Sequence, residues 1–153
     1  MEWIYDRTQS DVDRVRELNA KYIAGTISDD EKAEWAAGLK GALNVSDLNR
    51  IEGNMATVAG KVAASIKTKS WSYGDIPRVS DYLRIRGNLQ VIKDAWMALS
   101  DSPAVPDQPL NTFQKWNDIE KLLHDVNYTY DRTVSSYDYC GSEIYAGEGI
   151  GVI

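Results

Sequence analysis

A ten-residue segment occurs twice in this chain, without gaps, 34 residues apart. Val45-Ser46-Asp47-Leu48-Asn49-Arg50-Ile51-Glu52-Gly53-Asn54 and Val79-Ser80-Asp81-Tyr82-Leu83-Arg84-Ile85-Arg86-Gly87-Asn88 are identical at seven positions. A second step of 34 brings Asn117-Asp118-Ile119-Glu120 opposite Asn49-Arg50-Ile51-Glu52. The apolar positions then correspond at every step: Leu48, Tyr82 and Trp116; Ile51, Ile85 and Ile119; Met55, Leu89 and Leu123; Val58, Ile92 and Val126; Val62, Trp96 and Tyr130. A weaker echo, Ser10-Asp11-Val12-Asp13-Arg14-Val15, stands near the start.

The apolar spacings within each unit are three or four, the mark of one helical face. A period of 34 also suits tetratricopeptide repeats, which need two helices and a short turn per period. Here each period holds one helix of ~20 residues and a loop of ~12 residues, longer than most connections. That reading is rejected. The expectation is an all-α bundle of three long, quasi-repeated helices. Their length and that of their loops allow either up-down or same-direction packing.

Two shorter helices are expected to precede the bundle and pack against it. The first has Ser10 as N-cap, an apolar stripe through Val12, Val15, Leu18 and Tyr22, and a stop at Gly25. The second opens with a capping box of Ser28 and Glu31, carries Trp35 and Leu39 inward, and stops near Gly38 or Gly41. The three long helices are expected to start at Ser46, Ser80 and Thr112. The first two reach Ile66 and Leu99, and the third runs into the 130s. Pro103, Pro106 and Pro109 exclude regular helix between the last two. The helical domain then spans residues 1–140. The tail, 141–153, is Gly-rich and expected to be irregular or β-like, either flexible or bound to a partner.

Gly53 and Gly87 recur in mid-helix, where glycine costs ~1 kcal/mol against alanine. They are expected where helices approach too closely for a side chain.

Chemistry is sparse. One histidine, His124, and one cysteine, Cys140, leave no disulfide and no metal site built on two histidines. A helical contact between Glu120 and His124 is expected. No phosphate-binding glycine loop, calcium loop or nucleophile motif occurs, so no catalytic, cofactor or metal residue is assigned. The net charge of −6 argues against direct nucleic-acid binding. It leaves room for an acidic surface that imitates nucleic acid. No apolar run is long enough to span a bilayer, and the first residues lack the basic and apolar stretches of a signal peptide.

Aromatic residues are skewed to five Trp and nine Tyr against one Phe, and these rings pair an apolar face with a polar tip. Trp71 and Tyr73 fall in a loop, while Tyr137, Tyr139 and Tyr145 cluster toward the tail. They either cap the ends of the bundle or contact a partner or a glycan.

A series of segments carries a resemblance: Tyr5-Asp6-Arg7-Thr8 with Asp11-Val12-Asp13-Arg14-Val15; Glu31-Lys32-Ala33-Glu34-Trp35 with Gly38-Leu39-Lys40-Gly41-Ala42; Asp47-Leu48-Asn49-Arg50-Ile51-Glu52; Asn117-Asp118-Ile119-Glu120-Lys121-Leu122-Leu123; and Ser142-Glu143-Ile144-Tyr145-Ala146-Gly147-Glu148. The series resembles small proteins and terminal modules from tail regions of phages and prophages of Gram-positive bacteria. The resemblance spans most of the chain and brings no catalytic residues. It implies a non-enzymatic structural or adhesion role in a virion tail, assembled in the host cytoplasm, with other tail proteins or further copies of itself as partners. A soluble acidic inhibitor of a host nucleic-acid-binding protein, or a glycan-binding module, are the alternatives.

Overall fold

Three helices run in the same direction, and contacts at both ends fix that direction. The computed structural model describes residues 1–137. In chain order its helices are α1 (Gln9–Ile23), α2 (Asp29–Ala37), α3 (Val45–Lys61), α4 (Val79–Ala95) and α5 (Phe113–Ser135), with no strand among the described residues. Arg50 meets Glu120 near the start of α3 and α5, and Lys61 meets Asp131 near their ends. Tyr82 packs on Trp116, and Trp96 on Tyr130, so α4 and α5 are parallel as well. The long connections between the helices return the chain to the starting end each time.

The repeat positions become core layers. Ile51, Ile85 and Ile119 have no exposed surface, nor do Met55, Leu89 and Leu123, nor Val58, Ile92 and Val126. Leu48 and Trp116 are buried beside half-buried Tyr82. Such layers bury apolar side chains at roughly 1.5–3 kcal/mol each, the main term holding the helices together.

The grooves between the helices are filled by extended chain. Residues 67–71 lie between α3 and α4. Asn88 accepts the Lys67 N–H and donates to its carbonyl, and Asn49 does the same for Trp71. Residues 2–7 lie between α3 and α5, where Asn54 donates to the Glu2 carbonyl and Asn117 brackets Arg7. The third groove, between α4 and α5, holds the proline-rich connection. There Arg86, at the repeat position of Glu52 and Glu120, donates to the Pro106 carbonyl at 2.9 Å. The change of residue matches the contact: a guanidinium donates to a carbonyl here, where the carboxylates of Glu52 and Glu120 accept backbone N–H groups in the other two grooves.

Helix boundaries refine the expected ones. α1 is capped by Thr8 and not Ser10: Thr8 Oγ1 accepts the Asp11 N–H, and the Asp11 carboxylate accepts the Thr8 N–H at 2.7 Å. The box of Ser28 and Glu31 forms as expected. α3 and α4 start one residue before Ser46 and Ser80. In both, the repeated Asp supplies the cap: Asp47 accepts the Asn44 N–H and Asp81 the Arg78 N–H. α3 stops at Lys61 because Ala63 turns left-handed at φ 55°, and the Ala64 N–H returns to the Ala59 carbonyl. Ile66 therefore reaches the core from the extended segment. α4 stops at Ala95, with Trp96 already extended.

Gly53 and Gly87 do not mark close helix contacts. Both are exposed, and a methyl group added at either meets nothing within 4 Å. The crowded glycine is Gly41, where such a carbon would lie 2.2 Å from the Asp11 carbonyl oxygen. This contact helps seat the α1–α2 hairpin on the outside of the bundle. Leu18 is the only fully buried residue of α1, and α2 buries none. Lys21 with Glu31, Arg14 with Glu34 at 2.6 Å, and the Tyr22–Trp35 ring pair join the two helices. The expected domain limit at residue 140, the tail 141–153, and Tyr139, Cys140 and Tyr145 lie outside the described residues.

Candidate interaction surface

The residues singled out as partner or glycan contacts do not form one site. Trp71 belongs to the core. It is 4% exposed, its indole N–H points at Glu52, and Lys69 Nζ lies 3.8 Å from the ring centre. It lies in a loop, as expected, but the Asn49 clamp turns the loop inward. Tyr73, two residues on, is fully exposed. Tyr137 is 58% exposed just beyond the end of α5, at the opposite end of the parallel bundle.

Tyr73 instead shares a groove with the α1–α2 hairpin. Tyr22, Trp35 and Tyr73 line it with Leu43 and Val45, and its volume is about 690 Å³. Tyr22 meets Trp35 edge to face, with ring centres 4.7 Å apart. Lys32 is the only charged side chain in its lining. Ile76 and Val79, which follow Tyr73 in the chain, are also largely exposed. Aromatic surface gathered in a groove marks a contact surface more often than scattered residues do. The signal in the sequence was weak, because Tyr22 and Trp35 sit at helical positions that equally suit a core.

A second groove, of about 420 Å³, lies along α5 between Trp3, His124, Tyr128 and Arg132. His124 does not pair with Glu120. Its Nδ1 meets Asp125 at 3.0 Å, and its ring packs against Trp3, Tyr5 and Tyr128.

Asp125 is buried. Burial by itself would raise its carboxyl above the ordinary value, but contacts from Lys121, Ser102 and His124 outweigh this and hold it below. Asp118 is raised by desolvation, and among the described residues no ion pair offsets it. Glu31 is held down at about 2, first by Lys21 and then by the Ser28 backbone.

Glu120 serves as a structural anchor. Its carboxylate accepts from the Ile4 N–H, from Arg7 and from Arg50, while Arg7 and Arg50 also reach Asp47. Two guanidinium groups and two carboxylates thus neutralise one another beneath residues 2–7, so no reactive group is left free there. Among the described residues, no three His, Cys, Asp or Glu side chains are grouped to hold a metal ion, and no helix is long and apolar enough to cross a membrane.

No protein family, curated protein or solved structure matches the chain.

Proposed function

We propose that this chain is a non-enzymatic structural or adhesion component of a phage tail. The observation that carries the assembly reading is the aromatic groove of Tyr22, Trp35 and Tyr73, open at the end of the bundle where all three long helices begin. The likeness of its sequence segments to phage tail-region proteins supplies the setting. The acidic-inhibitor reading is less well supported. Imitating nucleic acid needs rows of free carboxylates, whereas Glu17, Glu31, Glu34, Asp47, Glu52 and Glu120 all face lysine or arginine. The outer side of α3 carries Ser46, Asn49, Gly53, Thr57 and Gly60, which bear no charge. The glycan reading loses Trp71 to the core and keeps the shallow groove at Tyr128 and Arg132.

The test is mass spectrometry and antibody labelling of virions purified from a strain that carries the gene. The expected result is stoichiometric protein at the tail. Protein found only in the soluble fraction of infected cells, co-purifying with a basic host protein, would overturn the reading in favour of an inhibitor.

A further inference from the structure

Because its three long helices are parallel, the molecule has two unlike ends. The groove of Tyr22, Trp35 and Tyr73 lies at the end where they start, beside Val45 and Ser46. The chain leaves α5 at Ser135, at the opposite end. α3 and α5 keep a constant register of 70 residues, from Arg50–Glu120 to Lys61–Asp131. Val45 is therefore level with Lys115, and the twenty residues from there to Ser135 place the two ends about 30 Å apart.

The chain that continues beyond the bundle has a distinct composition. Residues 138–153 carry Asp138, Glu143 and Glu148 and no lysine or arginine, with Ile144, Tyr145, Ile150, Val152 and Ile153 among glycines. The apolar residues of this segment suit a groove walled by aromatic rings, whose one charged lining residue among the described residues, Lys32, is already paired with Asp29 at 2.8 Å. We propose that residues 138–153 of one copy dock in the Tyr22–Trp35–Tyr73 groove of a second copy, joining molecules head to tail. On one copy Ser135 and the groove lie at opposite ends of the bundle, and they come close when two copies stack end to end. Such a contact uses different patches on its two sides and does not close on itself unless the rotation between copies happens to form a ring, so it builds a chain of molecules. Main-chain polar groups of the bound segment and rings packed in the groove would share the binding, as in other peptide-in-groove contacts. The inference deepens the assembly reading above and rests on it.

The test uses the full chain at rising concentration, with mass followed by light scattering after size exclusion. The wild type is expected to grow in mean mass with concentration. A synthetic peptide of residues 138–153, added in tenfold excess, should return it to monomer. The variant Lys32→Glu with Tyr73→Ala alters two surface side chains, so its thermal unfolding should match the wild type while its self-association falls at least tenfold. Mixing that variant with wild type should shorten the chains, because it can donate but not accept. A wild type that is monomeric throughout overturns the proposal, including the case in which the segment folds back on its own groove. So does assembly that is unchanged by the peptide and the variant. Loss of the protein from purified virions, with peptide binding intact, would instead remove the phage-tail setting and leave the docking standing.

Discussion

Asn49 and Asn117 stand 68 residues apart, two steps of the repeat, and make the same pair of hydrogen bonds. Asn49 accepts the Trp71 N–H at 2.8 Å and donates to its carbonyl at 2.9 Å. Asn117 accepts the Arg7 N–H at 3.2 Å and donates to its carbonyl at 2.9 Å. An amide side chain is the natural clamp here, since it offers one donor and one acceptor to a backbone that has one of each. Glu52 and Glu120 repeat the correspondence three residues on, accepting the Lys69 and Ile4 N–H groups and an arginine from a neighbouring helix, Arg84 or Arg50.

Replacing either asparagine by leucine leaves a partly buried N–H and carbonyl without partners. Each of Asn49→Leu and Asn117→Leu should lower stability by about 2 kcal/mol, and the double variant by nearly the sum. Urea unfolding measures this. A loss under 0.5 kcal/mol for both would mean that packing alone seats the two segments.

The ion network beneath residues 2–7 should be costly to break from one side. Glu120 is fully buried and Arg7 nearly so. Arg7→Met strands carboxylate charge in the interior and is expected to cost about 3–5 kcal/mol. Restoring neutrality with a second change, Glu120→Gln, should recover part of that loss in a double-mutant cycle.

The glycines should separate by sign. Gly53→Ala and Gly87→Ala place a methyl group in open space on a helix, and each should stabilise by roughly 0.5–1 kcal/mol. Gly41→Ala drives a carbon into the Asp11 and Val12 backbone and should destabilise by more than ~2 kcal/mol. Thermal melts of the three variants would decide it, and a stabilised Gly41→Ala would contradict the close approach.

Two aspartates should respond to pH in opposite directions. Asp125 titrates below its ordinary value of 3.8 in the folded chain, so its stabilisation is complete above that value and fades as pH falls through the lowered one. Asp118 titrates above 3.8, so its contribution is present below that value and lost as pH rises through the raised one. Accordingly, Asp118→Asn should raise the melting temperature at about pH 7 and change it little at about pH 3. Asp125→Asn should lower it at about pH 7 and by less in acid. Equal shifts at both pH values would refute the assignment.

Trp71 and Tyr73 give the sharpest contrast between neighbours. Trp71→Ala should cost about 3–5 kcal/mol, as for a large core aromatic. Tyr73→Ala should leave the unfolding midpoint unchanged, because the ring is fully exposed.

The 34-residue repeat and its three- and four-residue spacings were sufficient to predict an all-helical bundle and its core. A helix registers its buried face as a period in the chain, so Ile51, Ile85 and Ile119 could be matched before any contact was known. The Ser28–Glu31 box was legible for the same reason, being local. The rest depended on contacts between residues far apart in the chain. Parallel packing rests on pairs such as Lys61 with Asp131, and no periodicity within one helix encodes direction. Trp71, as a loop aromatic, suited capping the bundle or binding a partner equally well, and the Asn49 clamp decides for the core. Gly53 and Gly87 looked like close-contact glycines, because a residue's spacing shows that it recurs and not what it faces. The groove of Tyr22, Trp35 and Tyr73 joins two helices and a distant loop, so it exists only once the hairpin is seated. Local order and burial pattern are properties of short stretches of sequence, whereas direction, docking and surface arise from distant segments competing for the same few grooves.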